Sequence, residues 1–144
     1  MLDRKFFAKL REDVIPMYRR HIWIDEKDAN DVKFPKYSSA YGIAKRGRKL
    51  KGSAKKWANS KAPALSGLLH NSFGLIETRP DGFKFGTTVY GARVKNLEKM
   101  GRLLSTKKQP LPKKIQKFII KEADNYFMKG MKKNFKDKKI NLNL

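Results

Sequence analysis

The side chains of this chain best suited to chemistry are its cations. Between Val32 and Ile76 there is no Asp or Glu, whereas Lys33, Lys36, Lys45, Arg46, Arg48, Lys49, Lys51, Lys55, Lys56 and Lys61 all fall within that stretch. A run of like charge with no internal counter-charge must face counterions, a polyanion or an acidic protein surface. Lys45, Arg46, Arg48, Lys49, Lys51, Lys55 and Lys56 are therefore the candidate contacts to DNA or to a protein partner. Tyr37, Tyr41 and Trp57 are interleaved with them and are candidate interface anchors, because aromatic residues are enriched at binding hot spots.

Other chemistry is poorly represented. The absence of Cys removes disulfides, thiolate metal sites and cysteine nucleophiles. His21 and His70 lie far apart, neither within a ligand-spaced cluster; His21 falls on an apolar helical stripe and reads as a packed histidine. His70 precedes Asn71 and Ser72, but no nucleophile elbow, acidic orienting partner or oxyanion-hole motif accompanies them. Asp25, Glu26, Asp28 and Asp31 lack the spacing and turn glycine of a calcium loop and read as solvated loop charges. Gly47 to Ser53 fails as a phosphate-binding loop because Ser, not Lys, follows Gly52. No catalytic, cofactor-binding or metal-ligating set is expected, and the chain does not read as an enzyme.

The elements that must position the cations fit one domain spanning residues 1–144, with 33–61 an extended basic loop and 135–144 a frayed basic tail. Nine Phe, five Tyr and two Trp in 144 residues supply enough apolar surface for a core. No apolar run approaches the roughly 20 residues that cross a bilayer, and Met-Leu-Asp-Arg-Lys opens without an apolar signal core. A soluble, intracellularly made protein is expected. Of the formal net charge of +22, residues 1–31 contribute nothing, holding seven basic and seven acidic side chains. Compositional drift toward lysine accounts equally well for the C-terminal cations, but less well for a middle stretch from which acids vanish.

Leu2, Phe6, Leu10, Val14, Met17 and His21 recur at helical spacing, with Asp3 as N-cap and Pro16 expected to kink or interrupt the helix. Trp23 and Ile24 should pack back onto it. A helical turn is expected at Ser53 to Ser60 and a short helix around Leu65, Leu68 and Leu69. A strand near Phe73 to Thr78 then meets the turn signal Arg79-Pro80-Asp81-Gly82, in which Gly82 supplies a positive φ. The second strand runs from Phe83 to Val89, with Phe83, Phe85 and Thr87 on one face. A helix from Tyr90 to Met100 ends at Gly101, and Leu103 to Thr106 reads as a third short strand. Pro112 opens a long helix with Ile115, Phe118, Ile119, Ala123, Tyr126, Phe127 and Met131 on its apolar side. The fold class is α+β: long N- and C-terminal amphipathic helices packed on a small antiparallel sheet, with a long basic loop.

Ala64-Leu65-Ser66-Gly67-Leu68-Leu69-His70-Asn71-Ser72-Phe73 resembles the x-L-x-x-[ST]-G-x-L-x-x-S-[IF] stretch of small tailed-bacteriophage proteins. These are the head–tail joining, tail-completion or virion-morphogenesis proteins. The Ser66-Gly67 pair falls one position nearer the leading leucine than in the family pattern. The family's V-G-T-x-x-x-Y-A hairpin is similar to Phe85-Gly86-Thr87-Thr88-Val89-Tyr90-Gly91-Ala92, with Gly91 in place of the usual alanine. Its following helix and glycine match Val94 to Gly101, and its proline-containing segment matches Gln109-Pro110-Leu111-Pro112. The resemblance covers about residues 60–125. Its marker positions here are Leu65, Ser66, Gly67, Leu69, Ser72, Gly86, Thr87, Tyr90 and Gly101.

The resemblance implies a structural virion protein of the neck, made in the host cytoplasm. It implies a homo-oligomeric ring around the DNA conduit, with a hexamer favoured by analogy with tail tubes. Its partners would be further copies of itself, the connector or head-completion proteins and the tail terminator or tube proteins. The basic loop would touch a neighbouring protein or, non-specifically, the genomic DNA, and no membrane is implied. The alternative is a non-specific nucleic-acid-binding protein outside any virion, consistent with a sequence pI of about 10.3.

Overall fold

The structure, a computed structural model, describes residues 2–39, 60–61, 72–87 and 91–137, without the side chains of 91–94 and 134–137. The expected helical turn at Ser53 to Ser60 (Ser60 apart), the short helix around Leu65, the strand end at Val89 and the tail from residue 138 lie outside the described residues. Helix α1 spans Arg4–Trp23, strands β1 and β2 span Gly74–Arg79 and Gly82–Gly86, α2 spans Gly91–Lys99 and α3 spans Lys113–Asp137. The class is α+β, with both terminal helices packed around a small antiparallel sheet.

Helix α1 begins where expected. Asp3 has an extended backbone and its carboxylate accepts the Phe6 N–H at 2.9 Å, satisfying one of the free donors of the first turn. That hydrogen bond, and a second from the Tyr126 hydroxyl, hold the Asp3 carboxyl below its ordinary pKa. The buried stripe is Phe6, Leu10, Val14, Tyr18 and Ile22, with His21 and Trp23 beside it. Tyr18 takes the place foreseen for Met17, which is only half-buried. Pro16 does not interrupt α1. It lies on the exposed side, so the Glu12 carbonyl that loses a partner can turn to water. Ile24 is exposed rather than packed back, because the chain turns out of the helix there while Trp23 remains in the core.

Tyr18 organises the C-terminal half of α1. Its ring stacks on Phe73 with centroids 5.3 Å apart and meets Phe85 edge-on at 5.4 Å. Trp23 adds an edge contact to Phe73 at 5.6 Å. Edge and offset arrangements of this kind set the positive ring rim against the negative face. The Tyr18 hydroxyl donates to the Leu104 carbonyl, and burial pushes the phenol pKa well up, so the group stays a donor. The N-terminal half of α1 packs instead on α3, where Phe6 meets Tyr126 at 5.1 Å. Asp31 Oδ2 accepts the Lys113 N–H at 3.3 Å, so α3 starts near the C-terminus of α1 and passes its N-terminus at Tyr126. The two helices are antiparallel.

The hairpin closes through Pro80 and Asp81, with Arg79 opposite Gly82. Gly82 is not at positive φ; that conformation occurs instead at Gly86, with φ +145°. The register skips one residue between Leu75 and Glu77, a bulge at Ile76. Phe83 and Phe85 pack inward and Lys84 is exposed, as the alternation requires. Among the described residues the sheet has two strands, and Leu103 to Thr106 is not a third. Its backbone is used otherwise: Leu103 O accepts the Ala29 N–H at 2.7 Å, and Leu104 O is held by Tyr18. Pro112 does open α3, its carbonyl accepting Ile115 N and Gln116 N. Of the expected apolar side of α3, Ile115 is buried, Phe118, Ile119, Ala123 and Tyr126 pack on the core, and Phe127 and Met131 are exposed. The helix also continues through Asp137 rather than fraying after Asn134.

Replacing Tyr18 with Phe keeps the ring stack but leaves the buried Leu104 carbonyl without its donor. The expected loss is about 1–3 kcal/mol of unfolding free energy. Urea denaturation measures it, and a wild-type midpoint would contradict this tether.

Candidate functional site

The basic segment leaves and rejoins the folded body at one place. After α1 the chain makes a tight reversal in which Phe34 N–H donates to Glu26 O and Asp28 N–H to Val32 O. Asp28 is buried, and its Oδ1 accepts the Asn30 and Val32 amides at 2.8 and 2.9 Å. It is therefore an internal acceptor that shapes the turn rather than a solvated charge. Ala29 and Phe34 are buried under the reversal, and His21 Nε2 lies 2.7 Å from Asp28 O. His21 is thus the packed histidine its position on α1 predicts. Glu26 and Asp31 carry positive φ, 55° and 65°, which costs a non-glycine residue about 1–3 kcal/mol and marks the reversal as held by its surroundings.

Glu26 and Arg102 hold the two ends together. Glu26 Oε1 accepts the Ser60 hydroxyl at 2.6 Å and the Lys61 N–H at 2.9 Å. Arg102 is 1% exposed and donates three hydrogen bonds to carbonyl oxygens. Its Nη2 reaches Pro35 O at 2.7 Å, Nε reaches Lys61 O at 3.2 Å, and Nη1 reaches Met100 O at 3.1 Å. Lys61 is gripped on both sides of its backbone, its N–H by Glu26 and its C=O by Arg102. The same guanidinium holds Pro35, so the start and the return of the cationic segment share one anchor.

Arg102 owes its place to the end of α2. Gly101, at φ +74°, lets the chain leave the helix with Gly101 N bonded to Glu98 O and Arg102 N to Leu97 O. This pair of bonds is the glycine-terminated C-cap that Gly101 was expected to provide. An apolar residue usually follows such a glycine; here an arginine is turned inward. Tyr37 covers it, the guanidinium carbon lying 3.7 Å from the ring centroid. Planar, weakly hydrated and with five donors, guanidinium suits a buried site that asks for several carbonyl bonds and an aromatic face.

Burial pulls the Glu26 carboxyl upward. The hydrogen bonds from Ser60 and Lys61, together with the nearby Lys61 and Lys33 charges, outweigh that and hold it below its ordinary value. Folding therefore binds the proton less tightly than the unfolded chain does. The stabilisation is complete above the ordinary value of 4.5 and is lost as the pH falls through the depressed folded value.

Several residues singled out in the sequence are now placed. Tyr37 is bound to Arg102 within the chain. Ser72 and Thr87, from the two separate stretches of the family pattern, meet across the open end of the hairpin with their hydroxyl oxygens 3.0 Å apart. Gly86 immediately precedes Thr87 and pairs with Gly74 at the last register position. Gly101 caps α2. Tyr41, Trp57, Lys45, Arg46, Arg48, Lys49, Lys51, Lys55, Lys56, Leu65, Ser66, Gly67, Leu69 and Tyr90 lie outside the described residues. Sequence reading missed Glu26 and Arg102 as anchors; the one signal pointing to Arg102 was its position directly after the capping glycine. Among the described residues no group of His, Asp and Glu is placed to hold a metal ion. No helix is long and apolar enough to cross a membrane among these residues. No protein-family model, curated protein or solved structure matches the chain.

Arg102→Met removes the fork but keeps the bulk, leaving three carbonyls without their donor. The expected cost is about 3 kcal/mol in urea unfolding, and Arg102→Lys should not restore it, because an ammonium lacks the fork. Glu26→Gln should remove the part of the stability loss that sets in below pH 4.5. Superimposable acid limbs for wild type and variant would show that Glu26 does not carry it.

Proposed function

We propose that this protein is a structural component of a tailed-bacteriophage virion, of the neck or tail-completion type. In this reading it forms a homo-oligomeric ring, with six copies favoured, around the DNA conduit where head meets tail. The observation that carries the reading is the meeting of Ser72 and Thr87 beside Gly86, which brings the two separated stretches of the family pattern into one hairpin end. The order of the described elements supports it: an N-terminal helix, the hairpin, a helix closed by Gly101, and a proline-opened terminal helix.

The charge supplies the mechanism. A cationic segment tied at both ends to a rigid body is presented from a fixed base, so its ordering on contact costs less than that of a free tail. Its lysines and arginines would face phosphate in the conduit or an acidic rim on a neighbouring ring, with connector, tail terminator and further copies of this chain as partners. A non-specific nucleic-acid binder outside any virion is the second reading, favoured by the same acid-free run of cations. Salt-labile binding of free DNA is expected under both.

Two experiments test the proposal. Electron microscopy of cells infected with phage carrying an early stop codon in this gene should show filled heads beside unattached or overlong tails; normal infectious particles would overturn it. Lys45, Arg46, Arg48 and Lys49 replaced together by Glu should leave the melting temperature of the purified protein unchanged while abolishing head–tail joining.

A further inference from the structure

Between β2 and α2 lies a cleft of about 650 Å³, within the size range of ligand sites. Five consecutive residues, Phe83 to Thr87, border it, and no residue of β1 does. Successive side chains of a strand point to opposite faces, so neighbours of both parities share one space only along the strand's edge. The edge in question is the one turned away from β1, and among the described residues no third strand pairs it. Lys95 and Glu98, a turn apart on α2, form the facing wall. Tyr18, Phe73 and Leu104 form an apolar floor, tied together by the hydrogen bond from the Tyr18 hydroxyl to Leu104 O. An unpaired edge beside an apolar floor is the setting in which an extended segment adds as a further strand.

The chain itself carries such a segment. After α3 the sequence reads Lys138-Lys139-Ile140-Asn141-Leu142-Asn143-Leu144, and from Ile140 apolar and polar residues strictly alternate. That period places Ile140, Leu142 and Leu144 on one face of an extended strand. We infer that Ile140 to Leu144 of one copy add as a strand to the outer edge of β2 in a second copy, their apolar face on Tyr18, Phe73 and Leu104. The copy's own cleft is out of reach. Beyond Tyr126, which meets Phe6, α3 continues roughly 16 Å to Asp137, while Tyr18 lies roughly 18 Å along α1 in the opposite direction. With Ile140 to Leu144 seated, Lys138 and Lys139 bridge at most roughly 11 Å. Charge agrees with this occupant. Lys84 and Lys95 stand on opposite walls with Glu98 between them in sign, so further cations are disfavoured; the inserted residues carry none, and the two lysines stay outside. Tail and cleft are different surfaces, so the contact is head-to-tail, the kind that closes into a ring when the rotation per copy allows. The inference deepens the ring of the proposed function and rests on that reading for closure alone; the contact is tested on purified protein, whatever the phenotype of the stop-codon phage.

The chain has no cysteine, so single thiols can be introduced without interference. Lys84 is exposed on the outward face of β2, the face to which the asparagines of an added strand would turn. Full-length copies carrying Lys84→Cys, mixed with copies carrying Asn141→Cys or Asn143→Cys and oxidised, should give a disulfide-linked heterodimer. The link should be lost when the second copy also carries Ile140→Asn, Leu142→Asn and Leu144→Asn. Those three substitutions lie beyond α3 and should leave the circular dichroism of the full chain unchanged. A Lys-Lys-Ile-Asn-Leu-Asn-Leu peptide should bind that triply substituted chain about tenfold more tightly than Lys-Lys-Leu-Leu-Ile-Asn-Asn, which has the same composition without the alternation, in fluorescence anisotropy. Equal binding of the two peptides would overturn the proposal. So would absence of the heterodimer, its survival of the tail substitutions, or a disulfide closing within one chain that carries both cysteines in place of one between copies.

Discussion

Pro35 and Lys61 stand at opposite ends of the most cationic part of the chain, and their carbonyl oxygens accept hydrogen bonds from a single guanidinium. That shared partner is the constraint on which the rest of the arrangement depends. A segment with no internal counter-charge has no electrostatic reason to stay near the body that carries it. Arg102 supplies a reason that is not neutralisation: backbone carbonyls carry no net charge, so the anchor leaves the positive charge of the segment intact. Because Arg102 is itself fixed by the glycine cap of α2 and covered by Tyr37, the base of the segment is as rigid as the helix end behind it.

The acids have been diverted to the same end. Asp3 caps α1, Asp28 closes the reversal, Asp31 receives the first amide of α3, and Glu26 holds Ser60 and Lys61. Each spends acceptor capacity on backbone amides or a hydroxyl while keeping its negative charge. Where a surface ion pair does form, as between Glu77 and Arg79 at 2.9 Å, it is local and exposed and contributes little. The large positive net charge is a matter of composition, 35 basic against 13 acidic side chains. Residues 1–31 balance in formal charge, and of their acids Asp28 is buried while Asp3, Glu12 and Asp13 are exposed.

What could be read from the sequence was what short range determines. The Asp3 cap, the stripe of α1, the Pro80-Asp81 turn, the alternation of Phe83 and Phe85, the Gly101 cap and the Pro112 start each follow from neighbours within a turn or two. Several departures have causes outside the local sequence pattern. Pro16 is tolerated because its side of α1 meets water, and Leu103 to Thr106 fails as a strand because Tyr18 and Ala29 take its carbonyls. Glu26 looked like a loop charge because its partners, Ser60 and Lys61, are 34 and 35 residues away, whereas Asp28 bonds amides only two and four residues on. Arg102 gave the least warning, since an arginine after a capping glycine is indistinguishable in sequence from a solvated one. Its partners are 41 and 67 residues away.

The length mismatch between α1 and α3 shows the same logic on the apolar side. Periodicity placed Phe127 and Met131 with Ile115 and Ile119, as if one face served the whole helix. An α-helix of 3.6 residues per turn drifts against a four-residue spacing by about 40° per step, so a straight partner can cover the stripe only for a few turns. Phe6 meets Tyr126 where α1 begins, and beyond that point both the partner and the stripe have gone. The apolar residues of the overhang therefore cannot belong to the core of this chain, whatever its periodicity implies. Ile115, Ile119 and Tyr126 belong to the part of α3 that builds the fold, and the exposed Phe127, Met128 and Met131 to the part that projects beyond it.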